Sequence, residues 1–181
     1  DITAPADLPH WAETVGPTVL PAGGGDFFEA LLKRRSHREE QRPQWTRPAG
    51  PCLMVCGSTA ATSRAAVDRL AQAGAPVCDM PVDVFATAAD SSSAVARWAS
   101  DLSATLTRRG LAVLAIRHPV VPDASVAHRL AAACAQAVQQ VLRNAPVRLL
   151  MVEGGATAAA ILATLGQARW DLVAEIRRGG G

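Results

Sequence analysis

The sequence predicts an α/β protein: a doubly wound, mostly parallel sheet with helices on both faces. Three observations carry that expectation. The apolar runs "CLMVC", "LAVLAIR" and "VRLLMV" are too short for helices and lack the period-two alternation of a half-exposed strand, as expected of strands covered on both sides. Each is followed by a longer segment with helical periodicity. Strand and helix then alternate at least four times, which favours a parallel sheet with crossover helices.

Taken in order, Asp7 is placed to cap a short helix through Thr14, with Pro9 tolerated in its first turn, and residues Pro17 to Pro21 read as a brief apolar strand. "AGGGDFFEALLKRR" predicts a helix with Phe27, Phe28, Leu31 and Leu32 on its apolar side and Lys33, Arg34 and Arg35 facing the negative end of its dipole. The stretch Ser36 to Pro51, charged, aperiodic and interrupted by three prolines, reads as a linker. "CLMVC" is the next strand, and "GSTAATSRAAVDRLAQAG" turns into a helix with Ala66, Val67 and Leu70 inward and Gly74 as its stop. "APVCDMPVDV" supplies another strand. Val95, Trp98, Leu102 and Leu106 recur at helical spacing and predict a long helix from Ser92 to Arg109, ended by Gly110 ahead of the strand "LAVLAIR". Asp123 is the expected cap of a helix from Ala124 to Asn144. "VRLLMV", a glycine pair, a helix from about Thr157 to Leu165 with Gly166 as its stop, and a last strand "WDLVAEI" complete the pattern.

A chain of 181 residues buries roughly 70% of its unfolded surface and needs no staple. A net charge of +2 is too small for an electrostatic footprint on nucleic acid, and the absence of Tyr with only three Phe leaves few platforms for stacked bases. Cys52, Cys56, Cys78 and Cys134 show no metal-binding spacing and read as buried thiols of a reducing, cytoplasmic protein. No apolar run reaches the ~18 residues of a membrane helix, and the N-terminus lacks the pattern of a signal peptide. The start at Asp1, without Met, is what a fragment would show.

In a doubly wound sheet, ligands bind beyond the carboxyl ends of the strands. Three strand-to-helix loops there are unusual: "CGSTAAT", "RHPVVPD" and "EGGAT". Gly154 and Gly155 suit either a tight turn or an anion held by main-chain N–H groups at a helix start. Ser58 and Thr59 suit either a helix cap or a second set of phosphate contacts. Arg117 and His118 could lend charge to a phosphate or be a surface Arg and a His lodged against Pro119, and Glu153 could orient a Mg²⁺-bound water or face solvent. Asp79 and Asp83 are weaker acidic candidates of the same kind. Neither the Walker pattern nor G-x-G-x-x-G is present, and no Ser-His-Asp order or metal-ligand cluster argues for a hydrolase or a protein-held metal.

"CLMVCGSTAATSRAAV", followed about a hundred residues later by "VRLLMVEGGATAAAILATLG", resembles the nucleotide-binding C-terminal domain of the four-carbon acid sugar kinases, formerly a family of unknown function. The family shows an apolar strand, a Ser-Gly-Ser-like turn and a Gly-Gly-[Asp or Glu]-Thr-Ala loop in this order. The segment before the linker is similar to the end of the same enzymes' N-terminal sugar-binding domain. The resemblance implies three parts: residues 1–35 as that end and return segment, 36–51 as linker, and 52–181 as the nucleotide-binding domain. It also implies that Ser58, Gly154, Gly155, Ala156 and Thr157 contact ATP. Ala156 stands where the family usually has an acid, Gly23 to Gly25 replace a Gly-Ser-Ala-Gly-like run, and Gly179 to Gly181 lie where a further glycine loop would begin.

The function so implied is the ATP-binding part of a kinase that phosphorylates an erythronate, threonate or oxo-tetronate type of sugar acid, with ATP and Mg²⁺ as cofactors. Its catalytic base would lie in the N-terminal domain, so no catalytic residue is named and the chain alone is expected to be inactive. The partner expected is a small sugar acid, with neither nucleic acid nor membrane, and a homo-oligomer is compatible with this. The alternative is a non-catalytic phosphosugar- or nucleotide-binding module resembling sugar isomerase regulatory domains, which would not require the second glycine loop.

Overall fold

In the computed structural model, the described residues are 4, 6–35, 46–86, 91–119 and 123–169. They fall into two compact units, one within residues 4–35 and one spanning 46–169.

The first unit is a helical pair. Helix α1 (Asp7–Thr14) and helix α2 (Gly25–Arg35) pack together around Ala12 and Phe27. Asp7 is the first helical residue, and its carboxylate accepts the N–H of Ala4. Arg34 donates to the carbonyls of Ala12 and Val15, so it closes the C-terminal end of α1 rather than its own helix. Lys33 pairs with Glu29 one turn back. The segment Pro17 to Pro21, expected as a strand, is irregular: it has no partner strand among the described residues of this unit, and Val19 and Leu20 are exposed.

The second unit carries the sheet. Strand β1 (Cys52–Cys56) leads to helix α3 (Ala61–Gln72) and strand β2 (Val77–Asp79). Helices α4 (Val82–Ala86) and α5 (Ser92–Arg109) then precede strand β3 (Leu111–Ala115). Helix α6 (Ala124–Asn144), strand β4 (Leu149–Glu153) and helix α7 (Gly155–Thr164) follow. Among the described residues all pairings are parallel, in the order β2-β3-β1-β4. The predicted bounds of α5 and α6 agree with the structure, and Asp123 caps α6 by accepting the N–H of Ser125 at 2.8 Å. The Ser125 hydroxyl also donates to this carboxylate, and that bond first and the main-chain bond second hold the Asp123 carboxyl below its ordinary value.

The strand expected over "APVCDMPVDV" is only half right. Pro81 cannot donate to a ladder, and the residues after it turn into α4, whose last carbonyls, Val84 and Phe85, accept from Arg129 of α6. The expected strand "WDLVAEI", from Trp170, the glycines 179–181, and linker positions 36–45 lie outside the described residues.

The pleat sends alternate residues to opposite faces. Leu53, Val55, Ala112 and Leu114 face the main core with Leu102, Val138 and Ile161 of α5, α6 and α7. Cys56, Val113 and Ala115 face Val67 of α3. The sheet is therefore covered on both faces, as the unbroken apolar runs require. Burial drives the Cys134 thiol up to about 12, and Cys56 is pushed up to about 11 by burial first and the nearby Glu153 second, so both behave as apolar groups.

Candidate functional site

The site follows from register. Cys56 of β1 pairs with Glu153 of β4, so the next residues, Gly57 and Gly154, leave the carboxyl ends of neighbouring strands side by side. Helix α3 then packs on one face of the sheet and α7 on the other. Diverging helices behind adjacent strands create the crevice in which doubly wound folds hold ligands.

Gly154 caps α7 with φ +98°, a conformation that side chains rarely adopt, and its carbonyl accepts the N–H of Ala158 at 2.9 Å. Gly155 differs: its φ is ordinary, and a Cβ there would meet no atom within 4 Å. The doublet thus divides its work. Gly154 provides the turn, and Gly155 keeps the space above the helix start open. As the first helical residues, Gly155, Ala156 and Thr157 present N–H groups that have no intrahelical carbonyl to meet.

The first loop is built otherwise. Helix α3 begins at Ala61, not at Ser58 as the hydroxyl pair suggests, because the Ser58 Oγ accepts the N–H of Ala60 at 3.2 Å and stabilises a turn ahead of the helix. The main chain at Gly57 lies hard against α7. A Cβ built on Gly57 would fall 2.6 Å from Thr157 Cγ2 and 2.7 Å from its Cβ. Thr157 is buried, and its hydroxyl donates to the Gly57 carbonyl at 3.4 Å. Its side chain therefore points into the protein, leaving only its N–H at the helix start.

Glu153 is not solvated as expected of a surface acid. One of its oxygens accepts from the Ser63 hydroxyl of α3, and Oε2 is buried without a protein hydrogen bond. Ser63 carried no signal in the sequence, since a serine inside a helix has no reason to be singled out until its partner is known.

Arg117 and His118 spend their chemistry on the protein. Arg117 pairs with Asp68 at 3.2 Å and Asp79 at 3.5 Å, beside a shallow cleft that also involves Ala61, Arg64 and Ala65. His118 stacks on Phe85, ring centroids 4.1 Å apart, and its Nε2 lies 2.9 Å from the Met80 carbonyl oxygen. Asp83 pairs with the exposed Arg97 at 3.6 Å. Among the described residues, no three His, Cys, Asp or Glu side chains gather as a metal site, and no helix is long and apolar enough to cross a membrane.

Comparison with known proteins gives a family and a related fold. The family model of the nucleotide-binding C-terminal domain matches residues 53–180, most of the second unit included. No curated protein matches the chain in sequence. The fold is similar to a crystal structure from Bordetella bronchiseptica, described as a domain of unknown function with bound citrate in a domain-swapped dimer, at TM-score 0.55 and 24% identity. That match covers 99% of this chain and 43% of the other, so the chain spans less than half of that protein's length. With the model matching over most of its residues, the chain belongs to the nucleotide-binding C-terminal domain family.

Proposed function

We propose that this chain is the ATP-binding part of a kinase that phosphorylates a four-carbon sugar acid of the erythronate, threonate or oxo-tetronate type. The carrying observation is the register that sets Gly57 beside Gly154, with open space above Gly155 at the start of α7. Phosphoryl transfer is accelerated chiefly by positioning and charge stabilisation, which main-chain N–H groups and a helix N-terminus can supply. On this reading the N–H groups of Gly155, Ala156 and Thr157 hold phosphate oxygens, and the turn at Ser58 bounds the crevice opposite.

Mg²⁺ would supply further neutralisation of the phosphates. At nucleotide sites Mg²⁺ is carried mainly by phosphates and water, with at most one or two carboxylates from the protein. The base that activates the sugar hydroxyl belongs to a domain outside the matched one, and the chain alone is expected to be inactive. A homo-oligomer is the assembly expected, by likeness to the domain-swapped neighbour, and light scattering would report it.

The test is thermal. At ~100 times its Kd a ligand adds roughly 2.7 kcal/mol, on the order of 5 to 10 °C in Tm for a domain of this size. Mg-ATP and ADP should raise Tm by that order, and a sugar phosphate should not. Gly155→Val, which fills the open space without a strained φ, should abolish the rise while leaving the unliganded Tm close to that of the parent protein. A rise with the sugar phosphate alone would decide for a phosphosugar-binding module.

A further inference from the structure

Two side chains bridge the loops of the crevice, and neither needs a nucleotide to explain its place. Thr157, on α7, occupies the volume that any side chain on Gly57 would take, and its hydroxyl donates to the Gly57 carbonyl. Glu153, the last residue of β4, accepts from Ser63 on α3. Both struts run from the β4–α7 side to the β1–α3 side, 100 and 90 residues apart in sequence. They lie on either side of Gly154, the residue that makes the turn.

We infer that Thr157 and Glu153 act as positioning residues: their side chains lock the glycine loop after β4 to the loop after β1, setting the spacing at which the two main chains meet a nucleotide's phosphates. The inference rests on the nucleotide reading above and deepens it. Thr157 contributes its N–H to the ligand and its side chain to the lock. The close contact also explains why position 57 is glycine although its φ is ordinary, since a Cβ there would push α7 away from β1.

The test uses Thr157→Val, which keeps the shape and removes the hydroxyl, Thr157→Ser, which keeps the hydroxyl, and Gly57→Ala, which forces the loops apart. ADP affinity is measured by calorimetry beside Tm, and hydrogen exchange is followed at the amides of residues 57–60 and 154–158 without nucleotide. Thr157→Val should weaken ADP roughly tenfold, the scale of one lost hydrogen bond that positions a site. Gly57→Ala should weaken it more, and Thr157→Ser should restore most of the affinity. Exchange in Thr157→Val should quicken in both loops together, although the substitution lies in one.

Unchanged exchange at residues 57–60 in a folded Thr157→Val protein would overturn the lock, whatever the nucleotide does. Equal loss of affinity in Thr157→Val and Thr157→Ser, tracking their Tm, would also overturn it by reducing Thr157 to a core residue. If the parent protein fails to bind ADP while exchange still couples the loops, the nucleotide reading falls and the lock stands as a feature of the crevice.

Discussion

The two faces of the sheet are built to different thickness. Helices α5, α6 and α7 cover one face, where Leu53, Leu102, Leu114 and Val138 are wholly inaccessible. Among the described residues of this unit, α3 alone supplies a helix to the other, with Val67 against Cys56, Val113 and Ala115 and with half-buried Met54 and Val77 at its margins. The candidate site straddles the difference. Its glycine loop starts α7 on the thick side, and Ser58 and Ser63 belong to the approach and first turns of α3 on the thin side. A crevice between a rigid wall and a more yielding one has reason to be braced across, and the Thr157 and Glu153 bridges do this.

The comparison can be broken by substitution. Leu102→Ala, at the centre of the thick face, should cost the most, about 3 to 4 kcal/mol in denaturant unfolding, because three packed helices cannot collapse into the void. A like-for-like pair sharpens the contrast. Val138→Ala on the thick face should cost about 2 kcal/mol and Val67→Ala on the thin face about 1 kcal/mol, since half-buried neighbours can relax toward Val67. Equal costs would mean that the faces are equally rigid and that the bridging side chains have no weaker wall to brace.

The smallest effect belongs to Asp123, an exposed cap that holds one end of α6 without packing. Because its folded carboxyl titrates below the ordinary value, its contribution is present above that value and is lost as pH falls through the lower, folded one. Asp123→Ala should therefore lower Tm slightly at neutral pH, and the difference from the parent protein should close in acid. A difference that persists in acid would place the effect in helix propensity instead of the cap.

Much of the architecture was legible in the chain because it depends on local signals. The period of Val95, Trp98, Leu102 and Leu106, the cap at Asp123 and the stop at Gly110 define α5 and α6 with no knowledge of the rest. The errors came where a local pattern lacked its partner. Val19 and Leu20 have the composition of a strand but no strand beside them among the described residues, and "VDVF" is rich in valine and phenylalanine like a strand but is helical, with Arg129 donating to its last carbonyls. The resemblance pointed to the loops of the candidate site, though it could not tell which part of each residue would face the crevice.

By itself the sequence determined that strands and helices alternate, that the strands are buried on both sides, and that two glycine-bearing turns follow two of them. Periodicity, capping and the conformational freedom of glycine are properties of short segments, and short segments carry them in plain view. Only the tertiary structure decided that β1 and β4 are neighbours, that Gly57 and Gly154 therefore meet, that Thr157 turns its side chain inward and that Ser63 finds Glu153. Those contacts join residues some hundred positions apart, and their energy exists only after the crossover helices have brought the strand ends together.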